Sequence, residues 1–163
     1  MPDDRPTAHP HRIVALDLDQ RTIRRWSPEV DHERKVAIYD LLEDNRFEPV
    51  GCEAGPYRVV LSIEDNRLVF DIRDAEDRPL GRVPLPVRGF RRIVKEYFLI
   101  CESYYEAIRS AAPSKIEAID MGRRGVHNEG SVMLQDALAG KIAIDHQTAR
   151  RFFTLLCVLH IRG

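Results

Sequence analysis

The chain has 163 residues, with 25 Lys+Arg against 26 Asp+Glu, 31 % charged and 44 % hydrophobic side chains. A chain this long buries about 70 % of its unfolded surface, enough for one hydrophobic core and too little for two. The composition excludes a disordered, collagen-like or membrane-embedded chain.

Residues 1–11, with three prolines and two histidines, read as a disordered tail without the apolar run of a secretory signal. Residues 12–163 read as one domain. Arg12 to Leu18 alternates and predicts a strand. Ser27-Pro28-Glu29 is a helix start, a hydroxyl cap followed by proline and an acid. Val30, Ala37, Ile38, Leu41 and Leu42 then fall on one helical face as far as Asn45. The period next drops to two. Tyr57, Val59, Leu61 and Ile63 can face Leu68, Phe70 and Ile72 across a Glu64-Asp65-Asn66 turn, and Leu80 to Leu85 adds an edge strand that tolerates Pro84.

From Gly89 onward the chain turns helical. Phe90, Ile93, Val94, Tyr97, Phe98, Cys101, Tyr104, Tyr105 and Ile108 form a broad stripe, widened by Leu99 and Ile100, which places this helix at the centre of the core. Pro113 ends it and Ser114 caps a helix from Lys115 to Met121. A glycine-punctuated connection follows, then a helix from Ser131 to Ala139 stopped by Gly140. Asp145 caps the last helix, with Ala149, Phe152, Phe153, Leu156 and Leu159 facing inward. The fold class expected is α+β, an antiparallel meander of three to five strands packed against a C-terminal helical layer.

Charge is distributed unevenly. Residues 1–87 hold 13 basic and 18 acidic side chains, net −5, and residues 88–163 hold 12 and 8, net +4. Attraction between the halves explains this first, and a basic face for an anionic partner second. An excess of +4 is modest beside dedicated nucleic-acid binders. The apolar stretch from Phe152 to Ile161 is too short for a membrane span. Three cysteines, Cys52, Cys101 and Cys157, cannot all pair and point to a reducing cytoplasm.

Several strings are familiar together: His32-Glu33-Arg34 through Asp40-Leu41-Leu42-Glu43, Arg67-Leu68-Val69-Phe70-Asp71-Ile72, and Phe90-Arg91-Arg92-Ile93-Val94-Lys95. Ile100-Cys101-Glu102-Ser103-Tyr104-Tyr105, Asp120-Met121-Gly122-Arg123-Arg124-Gly125, His127-Asn128-Glu129-Gly130 and Thr148-Ala149-Arg150-Arg151 complete the set. Over nearly the whole chain after the tail, they resemble a small protein family of alphaproteobacteria, uncharacterised protein family 0262. The resemblance implies a bacterial cytosolic protein. It implies no reaction, cofactor or catalytic residue.

The chemistry must therefore be sought in the residues. No phosphate-binding loop, dinucleotide fingerprint, C-x-x-C pair or nucleophile elbow occurs. Cys101 and Cys157 sit among apolar residues, where a thiol stays inert. A helix-turn-helix over Ile116 to Leu138 would bury Asn128 and Ser131, so sequence-specific nucleic-acid binding is not expected. The best candidate is the run from Met121 to Gly130, with three glycines that permit positive φ and close backbone approach. Read as a loop, it offers Arg123 and Arg124 as a bidentate grip on phosphate or carboxylate, with His127, Asn128 and Glu129 beside them. Arg91 and Arg92 join as ligand-binding candidates if the fold brings them close; Arg150 and Arg151 are a further basic pair, and Tyr104 and Tyr105 could then line the pocket. The function expected is binding of a small anionic ligand, with no metal site and no cofactor implied. Two alternatives are an enzyme using His127 and Glu129 for acid–base or metal-assisted chemistry, and a homodimer formed through the acidic and basic halves.

Overall fold

A computed structural model describes residues 9–19, 28–52 and 55–159. The hydroxyl cap expected at Ser27 and most of the expected tail, residues 1–8, lie outside the described residues. The chain forms β1 (Ile13–Leu18), α1 (Pro28–Glu43), β2 (Phe47–Pro49), β3 (Tyr57–Glu64), β4 (Arg67–Arg73) and β5 (Pro79–Pro86). A short 3-10 turn over Arg88–Phe90 then leads into α2 (Arg91–Ser110), α3 (Pro113–Leu138), β6 (Ile142–Ile144) and α4 (His146–Leu159).

The period-two stretch makes the meander it predicts. Val59 pairs with Ile72, Leu61 with Phe70 and Ile63 with Leu68, so the two apolar faces coincide. Asp65 and Asn66 turn the chain with φ of 52° and 60°, the left-handed pair of a tight hairpin. β5 follows antiparallel on the far side of β4. β1 completes the sheet in the order β1-β3-β4-β5 and runs parallel to β3, so the sheet is mixed. The crossover between those two strands contains α1.

Buried Asn45 ties α1 to the sheet. Ile13 N donates to its Oδ1 at 2.7 Å, while its Nδ2 donates to Ile13 O at 3.0 Å and to Leu41 O at 2.8 Å. Pro10 and His11 are engaged as well, since Arg12 N donates to Pro10 O and Phe47 N to His11 O, both at 2.9 Å. A second, two-stranded sheet pairs β2 with β6, Phe47 opposite Ile144. Three-residue strands have no readable period, and neither is visible in the sequence pattern.

The helix at the centre of the core is α4 rather than α2. From Phe152 to Leu159 every residue of α4 except Thr154 is buried, and this stretch carries no charge to solvate. Phe152 packs against Phe70 of the main sheet at 5.3 Å between ring centroids and against Phe47 of the small sheet at 6.1 Å. Complete burial of such a side chain contributes roughly 2–3 kcal/mol. On α2, by contrast, Leu99 and Ile108 are about half exposed. α4 is capped as the sequence predicts, Thr148 N donating to Asp145 Oδ1 at 2.9 Å.

The largest departure is α3, a single helix of 26 residues. It begins after Ala112 with Pro113 in its first turn, so Ser114 is not its cap. No turn interrupts it, and neither the connection expected from Met121 to Gly130 nor a helix-turn-helix is present. Two of its glycines serve helix packing instead. A methyl group at Gly130 would overlap the Phe153 ring of α4, and one at Gly122 would stand 2.8 Å from Ile100 Cδ1 of α2. Around Gly125 there is open space.

Candidate functional site

Making residues 121–130 helical sorts the expected ligands by face. Neighbours turn by about 100° and residues four apart align, so Arg123 and His127 face inward with Ser131 and Leu134. Arg124, Asn128 and Glu129 are exposed. The expected convergence of Arg123, Arg124, His127, Asn128 and Glu129 on one ligand is therefore not formed. Nor are His127 and Glu129 paired, since the carboxylate lies about 200° further round the helix.

Both guanidiniums fold back on their own helix. Arg123 Nε and Nη2 donate to Asp120 Oδ1 at 3.1 and 2.6 Å, and Arg124 Nε meets Asp120 Oδ2 at 3.1 Å. The Arg123 hydrogen bond holds the Asp120 carboxyl below the usual carboxylate range. Arg123 also lies over the Tyr104 ring at 4.4 Å. Arg91 and Arg92 open α2, exposed, with Arg92 donating to Glu96 at 3.1 Å. They sit about 18 Å along α2 from Tyr104, too far to share a ligand with Arg123. The basic pair that the fold does bring close is Arg150–Arg151 on α4.

His127 is the junction. Only 8 % exposed, it is wedged between the rings of Tyr97 and Phe153, each centroid 5.3 Å away. Its Nε2 lies 2.8 Å from Thr154 Oγ1, and that hydroxyl donates to Arg150 O at 3.3 Å. With the hydroxyl proton so committed, Nε2–H is the donor and Nδ1 a bare acceptor. Nδ1 is buried without a hydrogen-bond partner among the described residues. Burial first, then the cations Arg150, Arg151, Arg123 and His146, push the His127 pKa down from 6.5 to about 4. Its imidazole is neutral at pH 7.

In front of Thr154 lies a cavity of about 200 Å³ between α1 and the other helices. His32, Glu33, Val36, Ala37 and Asp40 line one wall; Tyr97, Arg123, Arg151 and Thr154 line the other. Arg151 Nη2 reaches Asp40 Oδ2 only at 3.8 Å. A second cavity of about 430 Å³ adjoins it along α1 and α2, lined by Glu29, Val30, Glu33, Phe98, Cys101, Glu102 and Tyr105. Glu33 belongs to both, and Tyr105 Oη donates to its Oε1 at 3.0 Å. Burial pushes the Cys101 thiol up to about 11 and the Cys157 thiol well above its ordinary value, so neither is a ready nucleophile. Among the described residues no group of three His, Cys, Asp or Glu side chains is placed to hold a metal ion.

Sequence reasoning missed Glu33, Asp40, Tyr97 and Thr154. One signal was available: His32, Val36 and Asp40 recur every four residues, a partly polar stripe beside the apolar face of α1.

A family model described as an uncharacterised protein family, UPF0262, matches residues 10–162. The chain belongs to that family. A UPF0262 protein of Rhodospirillum rubrum is 62 % identical over 151 residues, covering 93 % of each chain. One of Rhizobium etli is 63 % identical over 152 residues, covering 93 % of this chain and 96 % of its own. One of Rhodopseudomonas palustris is 54 % identical over the full length of both. No solved structure matches. Among the described residues no helix is long and apolar enough to cross a membrane.

Proposed function

We propose that this UPF0262 chain binds a small carboxylate- or phosphate-bearing ligand in the cavity between α1 and α4, in a cytosolic setting. The observation that carries the reading is that guanidiniums from two different helices, Arg123 of α3 and Arg151 of α4, line one concave space together with the Thr154 hydroxyl. Two guanidiniums on different helices supply the paired N–H donors that a planar or tetrahedral oxyanion needs. Arg151 is available, because its contact with Asp40 is 3.8 Å rather than a close bidentate pair. Arg123 is held in position by Asp120 and Tyr104. Second to burial, Arg150, Arg151 and Arg123 lower the His127 pKa, which places their positive charge along this part of α3 and α4. Three free cysteines support the cytosolic setting.

Calorimetric titration with inorganic phosphate and with glutarate tests the reading. One of them is expected to bind saturably, more weakly as salt rises, and at least tenfold more weakly to Arg151→Gln. Absence of binding by both, or full affinity in Arg151→Gln with its melting temperature unchanged, overturns it.

A further inference from the structure

The larger cavity next to this site has the opposite character. Its floor is apolar, from Val30, Phe98 and Cys101, and its rim carries three carboxylates, Glu29, Glu33 and Glu102. Among the described residues none of the three is in an ion pair. Glu33 is held toward α2 by the Tyr105 hydroxyl at 3.0 Å.

This arrangement does not suit a bare metal ion. A hard cation wants a close shell of oxygens, whereas here the carboxylates surround an aromatic ring and a thiol. An organic cation on an aliphatic stem fits both parts, since methylenes cover the floor, the charged head meets the carboxylates, and the Phe98 face adds attraction. The volume of about 430 Å³ falls within the range of small-molecule pockets.

The two cavities are in sequence along the same pair of helices. On α1 the lining moves from residues 29–33 to residues 32–40, and on α2 from residues 98–105 to Tyr97. Each step is about five residues, or ~7 Å of helix. A chain of about six bonds, twice the 3.8 Å span between successive Cα atoms, covers that separation. We infer that the cavities form one two-ended site for a small zwitterion, its carboxylate between Arg123 and Arg151 and its organic cation among Glu29, Glu33 and Glu102. The inference rests on the anion reading above and names the ligand class that reading leaves open.

Titration with 6-aminohexanoate, hexanoate and hexylamine separates the two ideas. The zwitterion is expected to bind at least tenfold more tightly than either single-charged analogue. Glu102→Gln, an exposed position, is expected to erase the advantage over hexanoate while leaving hexanoate affinity intact; Glu29→Gln serves if the first variant melts lower. Arg151→Gln is expected to weaken both acids. Equal binding of 6-aminohexanoate and hexanoate overturns the two-ended site and leaves the anion reading standing. Hexylamine binding as tightly as the zwitterion, with Arg151→Gln inert, overturns the anion reading and the two-ended site with it. No binding by any of the three overturns the two-ended site, and the anion reading then stands or falls with the phosphate and glutarate titrations.

Discussion

The two faces of α3 are built from one uninterrupted run of sequence and do opposite things. The inward face carries Arg123, His127, Gly130, Ser131 and Leu134, and from His127 onward these residues are buried. There Ser131 Oγ donates to His127 O at 2.7 Å and Gly130 receives the Phe153 ring. The outward face carries Arg124, Gly125, Asn128, Glu129 and Val132, all exposed. Identity of residue type therefore says little here. The same glycine is required on one face and is a liability on the other, because packing decides on one side and helix propensity on the other.

The contrast can be broken at its strongest point. Gly130→Ala is expected to cost about 3 kcal/mol, as the added methyl displaces Phe153 from the core; the shift in urea midpoint reads it, and an unchanged midpoint would show that the inner face is not tightly packed. His127 gives the next effect. Its folded pKa of about 4 lies below the ordinary 6.5, so the unfolded chain binds the extra proton between those values. Stability is therefore complete above pH 6.5 and falls as the solution is acidified. The loss from His127 is about 2 kcal/mol between pH 7 and pH 5. The expected result is a flatter pH profile for His127→Gln than for the native chain. On the outer face the sign reverses. Gly125→Ala, in open space within a helix, is expected to stabilise by about 0.5–1 kcal/mol. Smallest of all, Asn128→Ala and Glu129→Gln are expected to change stability by less than about 0.5 kcal/mol, with phosphate and glutarate titrations unaltered.

The strands and most helices were legible because burial writes its period into the chain. Val59, Leu61 and Ile63 against Leu68, Phe70 and Ile72 is such a pattern, and the structure pairs those residues directly. Alternation says nothing of partner or direction, which is why the parallel seating of β1 on β3 was not foreseen. α3 was misread for a physical reason. Glycine signals either a backbone that must turn or a surface that must be approached closely, and one sequence does not distinguish them. Gly122 and Gly130 are of the second kind. Of the residues the sequence offers, Arg123 lines the smaller cavity and His127 is buried behind Thr154, while Glu33, Asp40 and Thr154 become neighbours only when α1 and α4 pack together.

One side chain at the sheet margin has a wider consequence. The Asn45 amide meets both polar groups of Ile13 on the side away from β3, as a neighbouring strand would. At the opposite margin Pro79, Pro84 and Pro86 deprive β5 of N–H donors. Growth of the sheet by a foreign strand is thus discouraged at both borders, so self-association by strand addition is guarded against from within the sequence.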